Sequence, residues 1–113
     1  MGDRNQMKGN DLILFEKLKA VAKRVVPPGG RVWLYGSRAR GEEHVGSDWD
    51  VLIILNKNKL EHSDYGKYAY PLEKEGWDYD AGITPIIYTN REWEERAFTP
   101  FYKQVERDKI RIL

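Results

Sequence analysis

Five consecutive apolar residues, Val51-Leu52-Ile53-Ile54-Leu55, form the longest apolar run in the chain. With Trp49 ahead of them they predict a buried strand over residues 49–55. Side chains alternate across a strand, so an apolar run without gaps needs cover on both faces. At 113 residues the chain suits one domain with one core, so that cover has to come from its own helices.

Two acids enter this strand. Asp48 and Asp50 point to the same face, with Cα atoms roughly 6–7 Å apart. Asp50 lies next to the core, where an unpaired carboxylate is costly. A metal, an arginine or a helix end has to compensate. Hard divalent ions such as magnesium favour such oxygen ligands and keep waters or phosphates in their other positions. The plain alternative is a solvated strand start, with Ser47 and Asp48 as turn residues.

A second motif stands just upstream. Arg31–Tyr35 reads as a short strand ending at Gly36, and Ser37 to Gly41 as a turn and short helix. Gly36 permits close approach of a phosphate to the backbone. Ser37 offers a hydroxyl where a helix starts, and free N–H groups there attract anions. Arg38 and Arg40 add cationic reach toward a triphosphate. The stretch fits neither Gly-x-Gly-x-x-Gly nor Gly-Lys-Ser/Thr, and a Gly-Ser helix cap also occurs where no ligand binds.

The remaining pattern is regular. Leu12, Phe15, Leu18, Ala22 and Val25, joined by Leu14 and Val21, predict a helix from Asp11, capped by Asn10 or Asp11 and ended by Pro27-Pro28-Gly29-Gly30. His44 to Ser47 reads as a loop. A helix is expected over 63–75, ending at Gly76 and weakened by Pro71. Ala81 to Tyr88 reads as a third strand, at an edge because of Pro85. Asn90-Arg91-Glu92-Trp93 reads as a cap and first turn, 100–107 as a last helix, and 109–113 as a short final strand. The resulting order predicts a small α/β (α+β) fold, a mixed sheet with helices packed on it.

Composition narrows the function. Nineteen basic against 18 acidic residues argue against broad nucleic-acid binding. No run is long enough to span a membrane, and residues 1–6 lack the apolar segment of a signal peptide and, with Gln6, the myristoylation pattern. The absence of cysteine is compatible with a reducing, cytoplasmic setting. Two histidines, His44 in a loop and His62 in a polar stretch, leave little scope for a histidine metal site. Trp33, Trp49, Trp77 and Trp93 could stack on a nucleobase, but packing is the better default for most of them, and Trp49 points away from both acids. Tyr65, Tyr68 and Tyr70 could face a partner.

Taken jointly, Gly-Ser-x-Ala-x-Gly, then Ser-Asp-x-Asp, then an apolar strand resembles the nucleotidyltransferase superfamily that includes DNA polymerase beta, and more closely its minimal nucleotidyltransferases. The resemblance is strongest over 32–55. It implies the nucleotidyltransferase fold over 11–113 as a single domain, after a flexible segment at 1–10. It also implies transfer of a nucleoside monophosphate from a nucleoside triphosphate, ATP in the first instance, to a hydroxyl, with release of pyrophosphate. Gly36 and Ser37 would hold the phosphates, and Asp48 and Asp50 two magnesium ions. A third carboxylate is expected near a later strand. Relatives often place it directly before a pattern like Ile83-Thr84-Pro85, where this chain has Gly82. Asp80, or Asp78, would share the parity of that position and complete the metal site. Proteins of this kind are often paired with a helical HEPN-type partner as antitoxins. The acceptor could thus be presented by such a partner or by a homodimer mate, and a binding module or nucleotide sensor with weak or no turnover is the alternative.

Overall fold

The computed structural model describes residues 7–113. The loose N-terminus expected over 1–10 lies outside the described residues as far as position 6. From Gly9 the chain is already helical, and helix α1 runs Gly9–Val25. Its N-cap is Lys8 rather than Asn10 or Asp11. Asp11 sits in the first turn, where its carboxylate accepts a hydrogen bond from Arg38.

Strand β1 (Arg31–Tyr35) leads through Gly36 into the one-turn helix α2 (Ser37–Arg40), and strand β2 covers Trp49–Leu55. A helical segment follows in three parts: α3 (His62–Asp64), a π-helical turn at Tyr65–Ala69, and α4 (Tyr70–Trp77). The Tyr70 N–H reaches back to the carbonyl of Tyr65, five residues earlier. This loosens the helix immediately before Pro71, whose ring would crowd the carbonyl of residue 67 in a regular α-helix. Pro71 therefore modifies the expected helix without breaking it.

Strand β3 (Ile83–Thr89) runs directly into α5 (Asn90–Glu94), with Thr89 as N-cap in a reciprocal capping box with Glu92. Helix α6 (Pro100–Asp108) and the two-residue strand β4 (Ile110–Arg111) complete the chain.

Among the described residues the strands form one mixed sheet in the order β3-β2-β1-β4. β1 is antiparallel to β2 and β4, while β2 and β3 are parallel. β3 is an edge, as Pro85 requires.

β2 explains the layering. Val51, Ile53 and Leu55 join the cluster built on α1 and α4 around Leu14, Phe15, Leu18 and Leu72. Leu52 and Ile54 join a second cluster on the other face with Tyr35, Trp93 and Val105 from β1, α5 and α6. Each face of the apolar run thus has its own helical cover. The same alternation puts Trp49, 1% exposed, in the α1 layer and turns Asp50 toward α6.

Candidate active site

The site is built where β1 ends and β2 begins. Tyr35 pairs with Asp50 in the antiparallel register, so the Gly36 turn stands directly over the Asp50 side chain. A Cβ on Gly36 would lie 2.2 Å from Asp50 Oδ2. Gly36 also holds φ at +79°, a region open to glycine and strained for other residues. Its carbonyl accepts from the N–H groups of Ala39 and Arg40. The N–H groups at the start of α2 remain without partners inside the helix.

Asp50 lines a cleft of about 320 Å³ together with Tyr35, Gly36, Ser37, Arg40, Phe101, Gln104, Val105 and Asp108. Partial burial pushes the Asp50 carboxyl above the usual carboxylate range. The charge of Asp48 adds to this and Arg40 opposes it. Among the described residues Asp50 has no hydrogen-bond donor or ion pair of its own. Tyr35 is pushed up to about 12, first by burial and then by the charge of Asp50. A carboxylate raised by burial and by a second acid, facing a cleft, is the donor chemistry that a hard divalent cation relieves.

Asp48, at the strand entrance, is exposed. The Thr84 hydroxyl donates to its Oδ2 at 3.5 Å, and a Cβ on Gly82 would lie 2.9 Å from its Oδ1. Asp48 and Asp50 thus mark the β2 edge of the site, with Gly82 and Thr84 of the neighbouring chain segment beside them.

The two arginines part company. Arg40 lines the cleft, bonded to Glu42 at 2.9 Å and Asp108 at 3.2 Å. Arg38 points the other way. Its Nε donates to the carbonyl of Ser47, its Nη1 to Asp11, and its guanidinium lies 4.9 Å over the Trp49 ring. Arg38 therefore ties α1, α2 and the loop before β2 together, and it does not line the cleft.

Asp80 and Asp78 lie ahead of the third strand. The third strand starts at Ile83, so residues 78–80 are a helix end and turn, and strand parity does not apply to them. Asp80 has φ +53° and lines a depression outside the cleft with Asp11, Arg38, Ser47 and Gly82. Among the described residues no group of three or more His, Asp or Glu side chains is arranged to hold a metal.

His44 is exposed, its Nδ1 beside the carbonyl of Val45, and His62 is exposed at the start of α3. The α6 residues of the cleft were missed by sequence reasoning. Their one signal is the three- and four-residue spacing of Phe101, Gln104, Val105 and Asp108, which marks a single helix face.

The mixed sheet, with a glycine-serine turn after its first strand and a carboxylate pair opening the next, is the nucleotidyltransferase fold. The chain belongs to the family described as nucleotidyltransferase domain, whose model matches residues 15–112. No curated protein matches it. Among solved structures it is similar in fold to a chain of a crystal structure of a toxin–antitoxin with AMP-PNP. That match has a TM-score of 0.60 and 16% identity, and covers 88% of this chain and 72% of the other.

Proposed function

We propose that this chain transfers a nucleoside monophosphate from a nucleoside triphosphate, ATP in the first instance, to a hydroxyl acceptor with release of pyrophosphate, using magnesium. One observation carries this reading: the Gly36 turn and the Asp50 carboxylate are in direct apposition at one end of a single cleft. Phosphate and metal ligands have to meet within a few ångström for phosphoryl chemistry, and here the glycine makes that approach possible.

Each residue has a role that its position allows. The backbone at Gly36 and the Ser37 hydroxyl bind the phosphates. Arg40 neutralises triphosphate charge from the cleft wall once it leaves Glu42 or Asp108. Asp48 and Asp50 would hold magnesium, which supplies charge neutralisation of the triphosphate and activation of the acceptor hydroxyl. Val105 and Phe101 of α6 keep water from one side of the bound nucleotide.

A second reading is favoured by a specific observation. The position facing Asp48 across the sheet is Gly82, and no third carboxylate joins the pair among the described residues. A nucleotide-binding antitoxin module with little turnover, paired with a HEPN-type partner, fits that gap, and the fold neighbour is itself a toxin–antitoxin structure with a nucleotide analogue. Calorimetry with ATP and magnesium, followed by assay of pyrophosphate release with the partner present, separates the readings. Binding with release supports transfer, and binding without release supports the module. No binding at all sinks both.

A further inference from the structure

One wall of the cleft has no phosphate chemistry. Phe101, Gln104, Val105 and Asp108 project from a single face of α6 into it. Asp108 is engaged by Arg40 and Arg107, and Val105 is buried. Phe101 and Gln104 remain open. Phe101 is 37% exposed, yet its ring is fixed by two near-perpendicular neighbours, Tyr35 at 5.7 Å and Trp93 at 5.9 Å between centroids. A rigid aromatic ring left partly bare in a cleft is a stacking platform that loses little entropy when used. Gln104, one turn further along, is exposed, and its amide has no partner among the described residues. That amide presents a donor beside an acceptor.

The opposite wall, at Gly36, Ser37, Arg40 and Asp50, is polar and charged. The cleft is therefore divided into a phosphate end and an aromatic–amide end, which is the division of a nucleotide itself. We infer that Phe101 and Gln104 read the nucleobase: the base stacks on Phe101, and its edge pairs with the Gln104 amide, favouring adenine. Adenine presents its N6 amino donor beside a ring-nitrogen acceptor on either edge, which complements an amide. Guanine offers a donor–acceptor match on one edge only, since its other edge carries two acceptors. This inference rests on the reading of the cleft as a nucleoside triphosphate site.

The test uses the full chain with magnesium and compares ATP, GTP and inorganic tripolyphosphate by calorimetry. Phe101→Ala is expected to weaken ATP by about tenfold, the scale of one base–aromatic stack, and to leave tripolyphosphate unchanged. Gln104→Glu replaces the amide with an acceptor-only group, which repels the adenine ring nitrogen and suits the N1 and N2 donors of guanine. It is expected to move the ATP:GTP preference toward GTP by about tenfold. Because Phe101 packs on Tyr35 and Trp93, Gln104→Glu decides alone if Phe101→Ala does not fold. Tripolyphosphate binding with ATP and GTP affinities unmoved by folded variants would overturn the base-reading assignment and leave the phosphate site standing. If wild type binds neither ATP nor tripolyphosphate, the site assignment falls and this inference with it.

Discussion

Gly36 and Asp50 are in contact distance across the β1–β2 junction: any side chain on Gly36 would begin 2.2 Å from Asp50 Oδ2. Gly36→Ala therefore meets both a clash and a positive φ. It should cost about 1–3 kcal/mol of stability, read from urea unfolding. It should also lower nucleotide affinity more than its stability loss explains, because the displaced group is Asp50.

Asp50→Asn should have opposite effects on fold and function. The Asp50 carboxyl is raised by burial and by Asp48, so the native state holds a proton more tightly there than the unfolded chain does. In metal-free protein its ionisation at neutral pH works against folding, and that contribution improves as pH falls through the raised value. Removing the charge should raise the melting temperature in EDTA and abolish the further rise expected of wild type with magnesium and ATP. A melting temperature below wild type in EDTA would contradict this account.

Arg38 should matter for the fold more than for the ligand. It bonds the Ser47 carbonyl and Asp11 and covers Trp49. Arg38→Ala is expected to cost about 1–3 kcal/mol by denaturant titration. Arg38→Lys should restore little, since a lysine cannot make both bonds while lying flat on the indole. Arg40→Ala, by contrast, should weaken ATP binding with a smaller stability loss.

Acid stability should be governed elsewhere in the molecule. Burial alone would raise Asp64, but the Glu61 N–H and the Lys57 ammonium outweigh it and hold its carboxyl below the usual range. Asp108 is likewise held down, against its burial, by Arg107 and Arg40. Such groups contribute stability that is complete above the ordinary carboxylate pKa and lost as pH falls through the lowered one. Urea midpoints should hold from pH 7 to about 5 and drop below about 4, the ordinary carboxylate range. Asp64→Asn should flatten that drop while lowering the midpoint at pH 7.

Turnover should respond to Gly82. Its Cβ position lies 2.9 Å from Asp48 Oδ1, so Gly82→Asp would bring a third carboxylate to the pair once Asp48 swings aside. Pyrophosphate release should rise in Gly82→Asp and change less in Asp80→Asn, which alters a turn residue two positions ahead of Gly82 in a depression that both line.

Much of the fold was legible because the signals were local. The apolar run at 51–55, the turn at 36–37 and the prolines at 27–28 fix strands and boundaries by backbone chemistry alone, and alternation alone placed Trp49 opposite Asp50. The N-terminus of α1 was misplaced because the helix already begins at Gly9, ahead of both expected caps, and Asp11 in its first turn bonds an arginine 27 residues away. The parity read for Asp80 does not carry over, because strand parity holds only inside a strand and the strand begins three residues later.

The sequence by itself determined the elements, their alternation and the two motifs, since these depend on neighbours in the chain. Only the tertiary structure decided which arginine faces the cleft and which helix forms its far wall. Those outcomes depend on how β1 turns back beside β2 and how α6 settles over their shared face, contacts between residues as far apart as Arg40 and Asp108 that no local pattern encodes.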